Sequence, residues 1–395
     1  MAIILFDDNA YQNLLPLVFT RPVGNLRIGI LTIAEKWAKH LNQDYSWHTR
    51  RYLQGKFPIN ITDDNLFING AVCPDENLLE AIDKLRLGQA LNYQDQLIAA
   101  RLDATDAASF DPATKYLAAS VSSLPVIVRH PEYIFRYNDI ELRKDFNLLT
   151  KGRESAVMSS TNTIIGTDFF AEEGAQAECC SFSTINGPIY LAANTEIWEG
   201  TNIRGAFAIN EHSQVKMGTK IYGATTIGPY CRVGGEVNNA VIWGYSNKGH
   251  EGYLGNAVVG EWCNLGADTN NSNLKNNYAE VRLWDYATGH YRKTGLQFCG
   301  LIMGDHAKCS INTMFNTGTV VGVGANVFDA GFPPNHVPDF SWGGAGGFEE
   351  YRLNKALETT AKVFARREHR NFDENEQAIL KEVFELTKEY REGWG

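Results

Sequence analysis

The sequence predicts three successive parts: an N-terminal α/β domain, a parallel β-helix built from hexapeptide repeats, and C-terminal α-helices. Strands and helices alternate over the first 150 residues, which indicates a layered α/β domain. From about Ile185 to Val327, aliphatic residues recur at every sixth position, which indicates a coiling solenoid. A helix-capping signal at Asp373 indicates that the chain ends in helices. We therefore expect domains at 1–150, 160–344 and 345–395.

The N-terminal domain is predicted from apolar segments of two kinds. Short runs at 3–6, 66–68 and 126–128 have the length and composition of strands. Segment 30–41 places its apolar residues on one face of a helix, and segment 78–87 is a second predicted helix. This alternation predicts a sheet with helices packed against it.

The β-helix is predicted from aliphatic residues at a strict spacing of six. These residues are Ile185, Leu191, Ile197, Ile203, Ile209, Val215, Ile221, Ile227 and Val233. A second register of mostly small or β-branched residues follows each of them by four positions. A period of six fits neither an α-helix nor one long strand. We therefore predict a prism in which the aliphatic residues point inward and three hexads complete one coil.

The repeat is interrupted twice, and interruptions of a packed solenoid are where functional loops are usually found. The phase breaks after Val237 and resumes with Val259. It breaks again after Leu265 and returns at Met303. The second interruption contains a predicted hairpin over 278–297, an arm that could reach a neighbouring subunit.

Charge and composition limit the classes of function. A formal net charge of −10 argues against non-specific nucleic-acid binding, because a phosphate backbone requires a basic face. The seven cysteines include no CxxC pair, which favours reduced packing residues over disulfides or a zinc site. No apolar stretch has the length of a membrane span, and no signal peptide is visible. We expect a cytoplasmic protein that binds small molecules and neither nucleic acid nor membrane.

The sharpest candidate for chemistry is His250, in a glycine-flanked segment at the first break of the repeat. Acyl transfer from a thioester to an amine or hydroxyl group needs a general base, and an imidazole titrates near neutrality. Cationic and amide side chains near this position in the sequence suit a phosphate and a sugar. The predicted substrate contacts are Arg232, Lys248, Tyr253, Asn264 and Asn273.

This segment resembles the acetyltransferase half of the bacterial bifunctional UDP-N-acetylglucosamine pyrophosphorylases. The matching pattern is Lys248-Gly-His250-x-x-Tyr253-Leu-Gly, then Asn264-Leu-Gly-Ala267, then Asn273. The resemblance covers residues 232–327. It implies a left-handed β-helix, acetyl-CoA as the acyl donor, and a homotrimer with each active site between adjacent prisms.

The resemblance also implies a role for each matching residue. In that family the residue that matches His250 deprotonates the amine of glucosamine 1-phosphate. The residues that match Tyr253, Asn264 and Asn273 contact the sugar phosphate. The residue that matches Ala267 contacts acetyl-CoA.

Two departures from the family pattern concern positive charge. The family has a sugar-phosphate-binding lysine in the coil before the histidine, and the nearest match here is Asn238. The hairpin also leaves open which of Lys275, Arg282 or Arg292 replaces the next basic position, and we take Arg292 as a cofactor-binding candidate. The acceptor can therefore differ from glucosamine 1-phosphate.

The N-terminal domain suggests a different activity. Segments 15–22 and 25–27 are similar to a divergent, shortened sugar-nucleotidyltransferase domain of Rossmann type that is found fused to such prisms. The glycine-rich phosphate loop of that fold is missing, because Asp7-Asp8-Asn9 follows the first strand. The resemblance implies phosphate contacts by Arg21 and Arg27.

Two alternatives to acyl transfer stay open. One is sugar-1-phosphate nucleotidyl transfer, alone or as the second activity of a bifunctional enzyme, and the other is a non-catalytic trimeric scaffold. If the N-terminal domain is active, it requires Mg²⁺. The carboxylates that could hold the ion are Asp7, Asp8, Asp139 and Asp145.

Overall fold

The computed structural model describes residues 1–114, 116–120, 125–367 and 370–391. The chain forms two compact units, one made of Met1–Leu26 and Leu31–His130, the other of Arg27–Ile30 and Pro131–Gly395. Small parts of the predicted domains at 1–150 and 345–395 lie outside the described residues, namely 115, 121–124, 368–369 and 392–395.

The first unit is an α/β layer with one mixed six-stranded sheet in the order β2-β1-β3-β5-β4-β6. Its strands are β1 (Ala2–Phe6), β2 (Tyr45–His48), β3 (Asn65–Asn69), β4 (Gln89–Tyr93), β5 (Gln96–Leu102) and β6 (Leu117–Ser120). Its helices are α1 (Ala10–Asn13), α2 (Ile33–Leu41), α3 (Glu76–Asp83) and α4 (Ala104–Ala108), with 3-10 turns at Val23–Asn25 and Arg51–Leu53. Strands β1, β2 and β3 are parallel, and β5 is antiparallel to both of its neighbours.

Helix α2 illustrates how local sequence sets the boundaries in this unit. The Thr32 side chain accepts a hydrogen bond from the Glu35 backbone N–H at 3.2 Å, and the Glu35 carboxylate accepts one from Thr32 at 2.7 Å. This capping box starts the helix three residues later than the predicted 30–41. The predicted strand at 126–128 is wrong, because that segment forms only an isolated bridge between Val72 and Ile127.

The second unit is a parallel β-helix. Its strands are β7 (Thr163–Ile165), β8 (Phe169–Ala171), β9 (Gln176–Ala177), β10 (Ser181–Ser183), β11 (Ile189–Leu191), β12 (Glu196–Ile197), β13 (Asn202–Arg204), β14 (Phe207–Ile209), β15 (Gln214–Val215), β16 (Lys220–Tyr222), β17 (Thr225–Ile227), β18 (Arg232–Val233), β19 (Glu236–Ile242), β20 (Asn247–Lys248), β21 (Tyr253–Val259), β22 (Asn264–Leu265), β23 (Asn270–Asn271), β24 (Arg282–Asp285), β25 (His290–Lys293), β26 (Leu301–Met303), β27 (Lys308–Cys309), β28 (Met314–Phe315), β29 (Thr319–Val321), β30 (Asn326–Val327), β31 (His336–Val337), β32 (Ser341–Gly344) and β33 (Gly347–Glu350).

The strand register confirms the predicted three hexads per coil. Ile189 pairs with Phe207 and Phe207 with Thr225, so each partner lies eighteen residues further along the chain. The side chains of both predicted registers point into the prism. A residue of one register lies two positions from a residue of the other, as Ile189 does from Leu191, and side chains two apart on a strand share a face. The predicted parallel β-helix is therefore confirmed, and its left-handedness stays a prediction. Ile185 is the exception: it is 69% exposed in the turn before β11, and the prism core already includes Phe182.

One corner of the prism carries a column of stacked rings, which we call the corner ladder: His212, Tyr230, Tyr245, Trp262 and His306. All five residues have φ between +58° and +63°, the left-handed conformation that such a corner requires. The Tyr245 and Trp262 ring centroids are 4.3 Å apart. Phe364, from the first C-terminal helix, stacks on Trp262 at 3.9 Å. The ladder therefore provides the surface on which that helix packs.

The remaining elements of this unit are a long helix that was not predicted, a hairpin, and the C-terminal helices. They are α5 (Glu132–Thr150), the β24–β25 hairpin, α6 (Leu353–Phe364), α7 (Glu374–Leu386) and a 3-10 turn at Lys388–Arg391. The hairpin over 278–297 and the Asp373 cap of α7 were both predicted, and the Asp373 carboxylate accepts from the Glu376 N–H at 2.9 Å. On α5, Asn138 accepts from the Gly29 N–H at 2.7 Å and donates to the Ala224 carbonyl at 2.9 Å.

The prediction about the cysteines can be compared with the structure. All seven cysteines are free thiols, and every one except Cys179 is buried, as expected of packing residues. Among the described residues, no helix combines the length and the apolar composition that crossing a membrane requires.

Candidate functional site

His250 lies on an exposed corner of the β-helix, between β20 and β21. The Lys248 ammonium group fixes this corner by donating to the carbonyl of Gly234 at 2.9 Å and to that of His250 at 2.8 Å. The backbone is thus held from inside the prism while the imidazole remains exposed.

Lys248 therefore has a position that the sequence did not predict. We expected a phosphate contact, but the side chain is 2% exposed and its ammonium group faces backbone carbonyls. Burial lowers the pKa of Lys248 to about 8. In this structure Lys248 positions the His250 corner and is turned away from solvent.

The buried ammonium group gives a prediction about pH. The pKa of Lys248 is lower in the folded chain than in the unfolded chain, so between about pH 8 and pH 10 the unfolded state binds more protons. The contribution of Lys248 to the free energy of unfolding therefore rises as the pH increases from about 8 to about 10. We expect Lys248→Met to lack this gain, so that the difference in unfolding free energy between wild type and variant changes by roughly 2 kcal/mol.

Urea unfolding of both proteins at pH 7 and pH 10 would measure the effect. Lys362→Met is the matched control, because Lys362 is exposed on α6. Identical pH dependence in wild type and Lys248→Met would show that the ammonium group is not buried in solution.

Tyr253 and Asn273 are brought together by the fold. The Tyr253 hydroxyl oxygen accepts from the Asn273 amide at 3.0 Å and from the Asn238 amide at 3.5 Å. Asn273 also donates to the Asn256 side chain at 2.7 Å. Burial raises the pKa of Tyr253, so the hydroxyl keeps its proton. Because both amides donate to its oxygen, the O–H group is oriented to donate to a ligand.

Sequence reasoning missed Asn256 and gave no role to Gly255, the glycine of the motif. Asn256 holds the Asn273 amide, and its position four before Gly260 gave no signal in the hexad pattern. Gly255 lies under the Tyr253 ring, where an added Cβ would be 2.3 Å from the hydroxyl oxygen. The glycine in the Tyr253-Leu-Gly motif is the one signal that could have indicated this packing.

The other predicted substrate residues lie on the wall that leads into the His250 corner. Arg232 pairs with Asn247, and Asn247 pairs with Asn264, so these residues form one row across successive coils. The Arg232 guanidinium donates to the carbonyls of His212 and Cys231 at 3.1 and 3.0 Å. The exposed Asn264 and the corner residue His250 are thus on adjoining surfaces.

Ala267 occupies the same corner as His250, one coil further along. The backbone N–H of its neighbour Asp268 donates to the Glu251 carbonyl at 3.0 Å, and Asn312 donates to the Ala267 carbonyl at 2.8 Å. Hydrogen bonds between coils therefore connect the predicted acetyl-CoA contact to the predicted base.

Arg292 forms an ion pair with a buried carboxylate, that of Glu132. Its guanidinium donates to both carboxylate oxygens of Glu132 at 2.7 and 2.6 Å, and Glu132 is completely buried. We expected Arg292 to contact a cofactor, but this two-point ion pair occupies the guanidinium. The other two candidates, Lys275 and Arg282, line a cavity of about 740 Å³ beside the hairpin.

The first unit has its own cavity, of about 900 Å³, at the carboxyl end of β1. Its wall includes a hydrogen-bonded chain: Gln96 donates to the Asp8 carboxylate at 2.7 Å and accepts from Arg129 at 3.0 Å. Strand β1 lies between β2 and β3, a reversal in strand order at which open α/β sheets bind ligands. Arg129 was missed because nothing in its local sequence marks it.

The predicted phosphate contacts Arg21 and Arg27 are elsewhere. Arg21 is 5% exposed and donates to Asn25 at 3.3 Å, and it does not line the cavity. Arg27 belongs to the second unit and donates to the carbonyl of Ile30 and, at 3.5 Å, to Asn210. Both guanidinium groups therefore have structural partners within the chain.

The four carboxylates considered for Mg²⁺ belong to two units, Asp7 and Asp8 to the first and Asp139 and Asp145 to the second. Asp7 accepts from the Val23 N–H, Asp139 pairs with Arg143, and Asp145 accepts from the Ile30 N–H. Burial raises the pKa of Asp7 to about 6. Within the described ranges, no group of three His, Cys, Asp or Glu side chains has the geometry to hold a metal ion.

Comparison with known proteins gives one match by sequence family. Residues 3–154 match the model of a family described as sugar nucleotidyl transferase. This match confirms the prediction that the chain is a transferase. No curated protein matched the chain significantly.

Two solved structures are similar to part of this chain. The polySia-specific acetyltransferase NeuO is 10% identical with a TM-score of 0.27, covering 52% of this chain and 100% of that one. An Arabidopsis UDP-N-acetylglucosamine acyltransferase is 11% identical with a TM-score of 0.25, covering 60% of this chain and 94% of that one. At these values the fold assignment depends on the strand register described above.

Proposed function

We propose that, in a cytoplasmic homotrimer, the β-helix unit transfers an acyl group, most simply acetyl, from coenzyme A to an amino sugar phosphate or sugar nucleotide. The observation that supports this function is an exposed imidazole on a corner fixed by Lys248, three residues before a hydroxyl group oriented by two amides. The amine nitrogen of the acceptor attacks the thioester carbonyl, and a new C–N bond replaces the C–S bond. His250 takes the proton from the amine, and the departing thiolate of coenzyme A takes up a proton.

The neighbouring residues have separate tasks in this proposal. Tyr253 and Asn273 hold the sugar, because their polar atoms already form one hydrogen-bonded group. Asn264 contacts the acceptor from the adjoining wall, and Ala267 leaves room for the acyl donor at the next coil. A partner prism in the homotrimer would close the exposed corner and exclude water from the thioester.

The test is an assay of coenzyme A release with acetyl-CoA and glucosamine 1-phosphate as probes. We expect turnover in the wild type and, in Tyr253→Phe, a rise of about tenfold in KM for the acceptor, since one hydrogen bond is lost. The KM for acetyl-CoA should not change. Tyr351→Phe is the control, because the Tyr351 hydroxyl contacts Thr359 in a different part of the unit. Absence of turnover with every amino sugar phosphate or sugar nucleotide would refute the proposal.

A second activity, sugar-1-phosphate nucleotidyl transfer by the first unit, is favoured by the family match and by the cavity at the carboxyl end of β1. Arg129 would contact the nucleotide phosphates in place of the expected Arg21 and Arg27. Asp8 and Asp95 both line the cavity, and carboxylates are the protein ligands that Mg²⁺ takes together with substrate phosphates. When bound, the ion would neutralise the phosphate charge.

Nucleotide binding to the first unit can be measured by thermal shift with UTP or dTTP and Mg²⁺. We expect stabilisation of the wild type, a clear reduction in Arg129→Gln, and no reduction in the control Arg86→Gln, where the arginine is exposed. Pyrophosphate release with a sugar 1-phosphate should follow the same order. If no nucleotide stabilises the wild type, the nucleotidyl-transfer proposal fails.

A further inference from the structure

We propose that the cavity between the β24–β25 hairpin and the adjacent coils is an anion site that binds a phosphate group of the transferase's ligand. This inference rests on the proposed function, because it names the chemistry that recognises the substrate. The cavity has a volume of about 740 Å³, which is in the range of small-molecule sites. The lining residues that carry the inference are Lys275, Asn276, Arg282, Tyr291 and Asn316.

The charge on this wall is of one sign. Lys275 and Arg282 line the cavity and no carboxylate does, in a chain whose net charge is −10. The nearest acidic residue along the chain, Glu280, turns its carboxylate to the Gly295 N–H at 2.6 Å and to Lys293 at 3.9 Å. Over the described parts of the chain, neither cavity cation has an ion-pair partner. A pair of uncompensated cations in a concave site attracts an anion.

The neutral part of the wall suits a hydroxylated ligand. The amide side chains of Asn276 and Asn316 make no hydrogen bond to any described residue, so their donors and acceptors are free for a ligand. The Tyr291 ring is 44% exposed and presents an apolar face of the kind on which sugar or base rings pack. Two cations, free amides and one aromatic face together fit a phosphorylated sugar or a nucleotide better than an acyl chain.

The hairpin is held in a fixed position over the cavity. Arg282 and Tyr291 share one face of the hairpin, since Arg282 is opposite Lys293 and Trp284 is opposite Tyr291. Arg292 lies on the other face, where its ion pair with the buried Glu132 holds the arm. The coil approaches closely at Gly318 (φ +73°), where an added Cβ would be 2.5 Å from the Arg282 carbonyl oxygen.

The cavity also adjoins the proposed acyl-transfer site. Ser272 and Leu274 on its wall flank Asn273, whose amide donates to the Tyr253 hydroxyl at 3.0 Å. A ligand whose sugar contacts Tyr253 and Asn273 could therefore place its phosphate near Lys275 and Arg282. The hairpin, which interrupts the repeat, thus supplies the positive charge for substrate recognition.

The experiment is isothermal titration calorimetry on the full chain with glucosamine 1-phosphate, glucose 1-phosphate, coenzyme A and unphosphorylated glucosamine. We expect at least one phosphorylated probe to bind about tenfold or more tightly than glucosamine. Lys275→Gln and Arg282→Gln should each weaken that binding by about tenfold, and Arg282→Lys should weaken it less because it keeps the charge. Lys362→Gln, which removes an exposed charge on α6, should leave it unchanged.

Each outcome assigns or rejects the site. If the variants affect sugar phosphates, the cavity binds the acceptor; if they affect only coenzyme A, it binds the donor; both results support a phosphate site. Unchanged affinity for every phosphorylated probe in a correctly folded Lys275→Gln/Arg282→Gln protein would overturn the inference. Phosphate binding that depends on these cations without acyl transfer in the wild type would refute the proposed function and leave the anion site intact.

Discussion

Replacing Arg292 with methionine is expected to lower the free energy of unfolding by about 3–5 kcal/mol. The guanidinium donates to both oxygens of Glu132, and Glu132 has no exposed surface. In Arg292→Met this carboxylate would remain buried without its cation, and a buried unpaired charge is among the most costly defects in a folded chain. The measurement is the midpoint and slope of urea unfolding.

The origin of this effect can be separated from simple loss of packing. The double variant Arg292→Met/Glu132→Leu removes both charges and should recover most of the lost stability, since an apolar pair can replace a buried ion pair. Lys362→Met breaks an exposed pair with Glu358 and should leave the urea midpoint almost unchanged. If Arg292→Met unfolds at the wild-type urea concentration, the Glu132 pair is not formed in solution.

Replacing His250 with glutamine is expected to lower kcat for acyl transfer by about 10²–10⁴-fold, the usual contribution of a general base. The imidazole is exposed and makes no hydrogen bond to the described parts of the chain, so the unfolding transition should not change. The KM for acetyl-CoA should also be preserved, because in this proposal His250 acts on the acceptor amine and not on the acyl donor. Steady-state kinetics on protein with an unchanged unfolding curve provide the measurement.

The matched control for this variant is His290→Gln. His290 is also exposed and lies at the start of β25 in the same unit. We expect it to retain wild-type kcat, because it lies outside both the corner and the cavity lining. A His250→Gln protein with wild-type kcat would exclude the general-base role and move the search for a base to another residue.

The β-helix was largely predictable from sequence because its core is repetitive. Nearly every aliphatic residue at the period of six is buried, and so are the residues four positions after each of them. Each hexad offers only these two positions whose side chains point into the prism. The failure at Ile185 has a simple cause. Periodicity defines a phase but does not mark the first residue of a wall, and Ile185 belongs to the turn before β11.

Helix α5 was not predicted because its buried face is unusually polar. Glu132, Asn138, Glu141 and Asp145 are all nearly or completely buried, so the helix lacks the apolar periodicity by which helices are recognised. Three of these side chains have partners distant in sequence: Glu132 pairs with Arg292, Asp145 accepts from the Ile30 N–H, and Asn138 contacts the Gly29 N–H and the Ala224 carbonyl. Sequence spacing carries no information about such partners.

The sequence predicted which types of residue lie near the candidate site better than it predicted where their side chains point. The proximity of Tyr253 and Asn273 agrees with the motif, whereas Lys248 turns inward and Arg292 turns toward Glu132. Whether a cation faces a ligand depends on which face of its strand it occupies and on what is buried behind it. The adjacent residues Tyr291 and Arg292 therefore differ completely in surroundings despite their proximity in sequence.

The strand pairing of the prism wall continues on the far side of the inserted hairpin, and this has a consequence for the evolution of such proteins. Val258 pairs with Ile302, forty-four positions along the chain, in the same kind of register in which Ile189 pairs with Phe207 only eighteen positions along. The wall fixes the positions of the paired residues but does not fix the length of the chain that connects them. The entropic cost of closing that loop grows only slowly with its length. Corners are therefore the places where evolution can insert, lengthen or exchange a segment while every coil keeps its register. Such an enzyme can therefore acquire a new ligand preference through changes at one corner, while all other coils of the prism stay the same.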